Sequence, residues 1–344
     1  MSLRNYGQAI LDALTAAMER DPSVLIMGIG VDDHKAVFGS TKNLVDRFGR
    51  ERVFDTPLSE AAMTGVAIGA ALAGMRPVHI HIRCDFLYLA LDQLFNIAAK
   101  WRYMFGGQMS VPIVIRAVIG RSWGQGSQHS QSPQSLLMHV PGLKVVMPTT
   151  AYDAKGLLLA AIADPNPVAV IEHRLLYDIP GEVPDGYYEI PLKKANIRRE
   201  GKDITIVANS YMVVESLKAA EFLAGEGIDV EIIDPVTLVP LEESVILKSI
   251  EKTGRLLVID TSWTACGASA EIAALAAEKG FKSLKAPVRR MGMAPVVCPV
   301  SKPLENIFYP NAKTIAQAVC EMLGRNFPAE KEVPLLTTKF KGPF

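Results

Sequence analysis

Six short β-rich runs alternate with helical stretches in the first half of the chain, and this alternation constrains the fold more than any other feature. The runs are Val24–Ile29, Arg52–Phe54, Pro77–Ile82, Pro112–Ile119, Leu143–Met147 and Val168–Glu172. Between them lie Thr41–Phe48, Ala61–Gly74, Leu87–Phe105, Pro133–His139 and Ala151–Ala163, all readable as helices. Several runs are apolar on both faces. A strand with one wet face alternates apolar and polar residues, whereas a parallel strand covered by helices on both sides does not. The pattern predicts a doubly wound α/β domain. In such a domain ligands collect beyond the carboxyl ends of the strands.

The alternation breaks between residues 178 and 203. Asp178-Ile-Pro-Gly-Glu-Val-Pro-Asp-Gly-Tyr-Tyr188 sets Pro, Gly and acids in turn-like order, and Lys193 to Lys202 is basic and polar, as a solvated linker would be. A second, smaller α/β unit follows, with strands at Ile204–Ala208, Val230–Ile233 and Arg255–Asp260. Its helices are read at Val213–Gly225, Leu241–Thr253, Ala268–Lys279 and Ala312–Leu323. At 344 residues the chain is too long for one ordinary core. The expected boundaries are 1–190 for the first domain, 191–202 for the linker, 203–327 for the second domain and 328–344 for an extended tail.

Lys+Arg and Asp+Glu balance at 36 each, which gives no basic surface for nucleic acid or membrane. No charge-free run of about 18 apolar residues suggests a transmembrane helix. The N-terminal stretch reads as an amphipathic helix interrupted by Asp12, not as a signal peptide. Cys84, Cys266, Cys298 and Cys320 are scattered, which fits reduced thiols in a cytoplasmic protein.

Within this frame, Arg52-Val-Phe-Asp-Thr-Pro-Leu-Ser-Glu60 carries the sharpest chemistry. One carboxylate stands at the mouth of a long apolar helix, with Leu58 before it and Ala61, Ala62 and Met63 after it. In a dry pocket such a group can share a proton with a bound ring nitrogen. The same acid is also what a helix dipole favours in a first turn. His129, in Gly124-Gln-Gly-Ser-Gln-His-Ser-Gln-Ser-Pro133, sits on a loop before a helix, where it can donate a proton or cap the helix. Phe86 follows the strand Pro77–Ile82, placed to pack on a flat heterocycle or to fill a corner of the core. The turn Asp164-Pro-Asn166-Pro offers oxygen donors for a hard cation, or is only a turn. Other classes fit poorly. Gly124-x-Gly126-Ser127 is not a Gly-x-Ser-x-Gly elbow and no Asp-then-His order follows it at a sensible place, no Gly-x-x-x-x-Gly-Lys-Ser/Thr loop occurs, and Gly28-Ile-Gly30 lacks the third glycine of a dinucleotide site.

Several of these stretches, in order and nearly end to end, resemble the β subunit of thiamine-diphosphate-dependent 2-oxo acid dehydrogenase E1 components, of the pyruvate and branched-chain type. The resemblance is carried by Phe54-Asp-Thr-Pro-Leu-Ser-Glu60, Gln128-His-Ser-Gln-Ser132, Val140-Pro-Gly-Leu-Lys-Val-Val-Met-Pro148, Tyr152-Asp-Ala-Lys-Gly-Leu-Leu158, Asp164-Pro-Asn-Pro-Val168, Lys252-Thr-Gly-Arg-Leu-Leu-Val258 and Ala286-Pro-Val-Arg-Arg290. It implies a transketolase-like pyrimidine-binding domain followed by a transketolase C-terminal domain. It implies that Glu60 hydrogen-bonds N1′ of the cofactor aminopyrimidine and favours its imino tautomer. Leu58 and Phe86 would pack near that ring, and His129 would serve the substrate side. It also implies a structural potassium ion held by the carbonyls of Ile113, Ala161 and Ile162 with Asp164 and Asn166.

The Gly-Asp-Gly…Asn motif that binds diphosphate through Mg2+ is missing. In the resembled family it lies on the α subunit, so the resemblance implies an α2β2 heterotetramer whose active site forms between chains. The acyl group would pass to a lipoyl-bearing E2. The same logic leaves open a split transketolase moving ketol units between sugar phosphates, and a non-catalytic scaffold against which intact Glu60 and His129 argue. The chain also departs from the family pattern. Ile29 and Ile80 stand where acids are common, Arg121 and Trp123 enter a usually glycine-rich loop, and His79 and His81 form an uncommon His-Ile-His strand. These departures point to a substrate other than pyruvate, bulkier or more anionic.

Overall fold

The structure, a computed structural model, describes residues 1–120 and 124–333. Arg121, Trp123 and most of the expected tail lie outside the described residues. The chain divides into two compact units. The first comprises Met1–Leu192 with Leu238–Pro240, and the second begins at Lys193 and resumes at Leu241.

A seven-stranded sheet organises the first unit, in the order Thr237–Val239, Lys144–Val146, Val168–His173, Val114–Ile119, Arg76–His81, Val24–Gly28 and Val53–Asp55. The pairs from Lys144–Val146 through Val53–Asp55 are all parallel. Val24–Gly28, Val114–Ile119 and Val168–His173 are buried along their whole length, as the two-faced apolar runs require. The N-terminal helix Tyr6–Arg20 is fixed by a reciprocal cap between Asn5 and Gln8 and packs its apolar face inward.

One buried polar pair ties two central strands. Arg116 donates to both carboxylate oxygens of Glu172, at 2.6 and 2.9 Å, and neither residue is more than 1% exposed. Ser40 and Tyr177 complete the cluster. Nearby, His79 faces the helix Glu60–Leu72 and its Nδ1 lies 3.3 Å from the Thr64 hydroxyl.

The second unit holds a five-stranded sheet in the order Arg289–Met293, Leu256–Trp263, Ile204–Ala208, Val230–Asp234 and Asn196–Arg199. Only the last strand runs antiparallel to its neighbour. It corrects the reading of Lys193 to Lys202 as a solvated linker. Arg198 reaches the fully buried Asp234 at 2.8 Å, and that charge pair draws the basic stretch onto the sheet edge. The turn-like segment before it also contains a strand, Pro180–Val183, paired antiparallel with Ser2–Asn5. The predicted helix Leu87–Phe105 is broken into a 3-10 segment at Cys84–Ala90, a π segment at Gln93–Ala98 and an α-helix at Ala99–Met104.

Two predictions follow from the buried polar groups. Arg116→Met leaves Glu172 an uncompensated buried charge and should cost about 3–5 kcal/mol in denaturant unfolding; a loss below about 1 kcal/mol contradicts the pairing. Burial pushes the His79 imidazole down from 6.5 to about 4. The folded chain therefore keeps His79 neutral where the unfolded chain protonates it. That contribution is complete above the unfolded value and is lost as pH falls toward the folded one. His79→Gln should flatten the acid limb of stability between pH 6.5 and about 4, by at most roughly 3 kcal/mol. An unchanged acid limb contradicts the assignment.

Candidate active site

The strand Val24–Gly28 lies between Val53–Asp55 and Arg76–His81. The chain leaves it to one side and returns on the other, which is a topological switch point, where the carboxyl ends of parallel strands open a crevice. Gly28 makes the close approach possible. Its φ is +152°, and a Cβ there would sit 2.4 Å from the Ile80 carbonyl oxygen. Asp55 then fixes the loop above, accepting from the Val31 and Asp32 amides at 2.6 and 3.2 Å.

Glu60 is the first residue of the helix Glu60–Leu72 and is half-buried. It opens into a cleft walled by Ile29, Met63, Ile82 and Phe86, with His79, His81 and Arg83 on the strand side. The expected apolar setting for the carboxylate is present, but Leu58 does not provide it. Leu58 is 83% exposed and outside the cleft wall, because it lies in the turn where the Ser59 amide bonds the Pro57 carbonyl at 2.8 Å.

Phe86 joins the two halves of the site. It lines the Glu60 cleft, and its ring meets that of His129 edge-on with centroids 5.5 Å apart. Glu60, Phe86 and His129, distant in sequence, thus fall in one place. The loop bearing His129 is held by the two residues before Phe86. Asp85 accepts from the Gln131 amide at 3.0 Å, and the Cys84 thiol donates to the Gln131 carbonyl at 3.0 Å. Partial burial, then the guanidinium of Arg83, with a further contribution from Arg174, draw the His129 imidazole below its ordinary value, while Asp85 opposes them. His129 is therefore mainly neutral near pH 7, able to accept a proton and return it.

Sequence reading missed Asp85 and Arg83. The signal for Arg83 was present, since His79, His81 and Arg83 recur at the period of an extended strand.

The turn after the helix Ala151–Ala163 gathers Ile162, Asp164 and Asn166, with Ile113 alongside. Several of its oxygens also make contacts within the chain. Asp164 is paired with Lys144 through one carboxylate oxygen and accepts from Asn166 through the other. Arg76 donates to the Ile162 carbonyl at 2.8 Å, and the Ile113 carbonyl accepts from the Val168 amide at 3.0 Å. Lys144 and Arg76 thus sit at oxygens that the resemblance assigns to a potassium ion. No cluster of three or more His, Cys, Asp or Glu suited to a metal occurs among the described residues.

The family profile described as "Transketolase, pyrimidine binding domain" matches residues 3–180, and "Transketolase, C-terminal domain" matches residues 193–315. The chain is 46% identical over 320 residues to the acetoin:2,6-dichlorophenolindophenol oxidoreductase subunit beta of Cupriavidus necator, covering 90% of this chain and 94% of that one. It is 43% identical to the mitochondrial pyruvate dehydrogenase E1 component subunit beta-2 of Oryza sativa subsp. japonica, covering 93% of this chain and 86% of that one. Among solved structures, a split-gene transketolase described as an inactive beta4 tetramer superimposes with a TM-score of 0.76 at 21% identity, over 93% of this chain and 98% of that one. Two matched domains in sequence order, together with relatives aligned over nearly their whole length, place this chain in the family of β subunits of thiamine-diphosphate-dependent 2-oxo acid dehydrogenase E1 components.

Proposed function

We propose that this chain is the half of an E1-type enzyme that holds the aminopyrimidine ring of thiamine diphosphate, while an α subunit holds the diphosphate and Mg2+. The observation that carries the reading is one carboxylate, Glu60, in an apolar cleft at the switch point, with Phe86 as wall and His129 beyond it. A carboxylate beside the apolar side chains of Ile29, Met63, Ile82 and Phe86 suits a flat heterocycle with a basic ring nitrogen.

When bound, thiamine diphosphate supplies the electron sink for decarboxylating a 2-oxo acid. Glu60 shares a proton with N1′ and so selects the tautomer of the ring. Phe86, with Met63 and Ile82, excludes water and orients it. His129 accepts or donates a proton on the substrate side, or guides the lipoyl acceptor of an E2 partner.

Two features support completion by a partner chain. The sequence has no Gly-Asp-Gly motif for Mg2+-bound diphosphate. The helix Glu60–Leu72 also leaves apolar surface uncovered, with Val66 54% exposed beside Gly65 and Gly69, and Leu89 61% exposed. Surface of that kind next to a site marks a docking face; in this reading the α subunit of an α2β2 assembly covers it.

The test is Glu60→Gln in the assembled enzyme, assayed with 2-oxo acids and an artificial electron acceptor. Turnover should fall by at least about 100-fold, the scale of lost acid–base catalysis, with the assembly intact. Wild-type-like turnover by that variant refutes the role, and activity only with sugar phosphates rejects the E1 reading.

A further inference from the structure

Two nitrogen groups in the Glu60 cleft have no substrate or cofactor contact assigned to them above. His81 Nε2 and Arg83 Nη1 are buried and have no hydrogen-bond partner among the described residues. His81 is only 5% exposed, and both residues line the cleft with Glu60 and Phe86. Their spacing puts them on one side of the chain. His81 ends the strand Arg76–His81, and Arg83 continues in extended conformation, with φ −136° and ψ 122°.

Nearby groups do not satisfy them. Asp85 acts on Arg83 electrostatically, but one of its oxygens accepts from the Gln131 amide at 3.0 Å and the other lies 3.8 Å from the Cys84 sulfur. Burial, then the neighbouring His79 ring at 4.4 Å, holds the His81 imidazole well below its ordinary value, so His81 is a neutral hydrogen-bonding group. Arg83 remains a cation. It also acts on His129, so its charge is felt on the substrate side as well as in the Glu60 cleft. A desolvated guanidinium N–H without an acceptor is costly, and an anionic oxygen is the acceptor that relieves it best.

We propose that His81 and Arg83 form a binding site for an anionic group, a carboxylate or a phosphate, that the substrate carries away from its reacting carbonyl. The proposal rests on Glu60 holding the cofactor ring, which commits that carboxylate and leaves Arg83 as the cation facing the substrate. Arg83 offers its Nη1 group to the oxygens, and His81 Nε2 donates a further hydrogen bond. Pyruvate carries one carboxylate, on the carbon that is attacked, and loses it as carbon dioxide. A substrate suited to this cleft keeps a second charge on the acyl or ketol fragment.

The test compares wild type, Arg83→Met, Arg83→Lys and His81→Phe in the enzyme assembled with its α subunit. Substrates are 2-oxobutyrate for a neutral tail, 2-oxoglutarate for a carboxylate tail and fructose 6-phosphate for a phosphate tail. Calorimetric titration without electron acceptor reads Kd beside KM. Wild type should favour one of the anionic tails, and which one identifies the anion. Arg83→Met should lower kcat/KM for that substrate by about 10- to 100-fold, mainly through KM and Kd. The ratio of kcat/KM for that substrate to kcat/KM for 2-oxobutyrate should fall by about 10-fold or more, because any change passed through His129 acts on both substrates, and Arg83→Lys should recover part of the ratio. His81→Phe should show a smaller loss of the same kind. No preference for either anionic tail in wild type, or equal losses on neutral and anionic substrates, overturns the proposal. Either result leaves the Glu60 assignment standing, because that assignment fails only if Glu60→Gln retains turnover.

Discussion

The close packing of three parallel strands around Gly28 is the constraint on which the site depends. The strand Val24–Gly28 can approach the Ile80 carbonyl only because residue 28 has no side chain. That approach brings three strand ends together, carrying Ile29, the Asp55–Thr56–Pro57 turn and His81. The helix that starts at Glu60 then projects a carboxylate over a hollow between strand ends, where its dipole and the apolar walls act on the same group. A bulkier residue at position 28 would separate the strands and remove the hollow before any catalytic side chain was altered.

A second set of contacts fixes what faces Glu60. Cys84, Asp85 and Phe86 are consecutive, and each touches the loop at 129–131: the thiol and carboxylate hold the Gln131 backbone, and the phenyl ring meets His129. These three residues open the 3-10 stretch Cys84–Ala90. His129 therefore gains its place and its lowered basicity from the same small element, through burial and the neighbouring Arg83.

Much of the fold was legible in the sequence because the signals were local. Apolar runs such as Val114–Ile119 and Val168–His173 are buried on both faces, and the pattern shows it directly. Glu60, Phe86 and His129 were also legible, as an acid at a helix mouth, an aromatic beyond a strand and a histidine on a glycine-flanked loop. What was not legible depends on distant partners. Asn196–Arg199 reads as solvated until Asp234, more than thirty residues on, supplies a buried counter-charge. The helical periodicity of 87–105 gives no hint that Cys84 and Asp85 are held by a loop more than forty residues away. Leu58 reads as an apolar neighbour of Glu60, yet the turn at Pro57–Ser59 points it outward.

The central claim is a cofactor site divided between chains, with this one gripping the ring and another gripping the charged tail. Calorimetric titration of thiamine diphosphate with Mg2+, into this chain alone and into the chain assembled with its α subunit, tests it most directly. A divided site predicts weak or undetectable binding by the isolated chain and tight binding by the assembly. Tight binding by the isolated chain would contradict it.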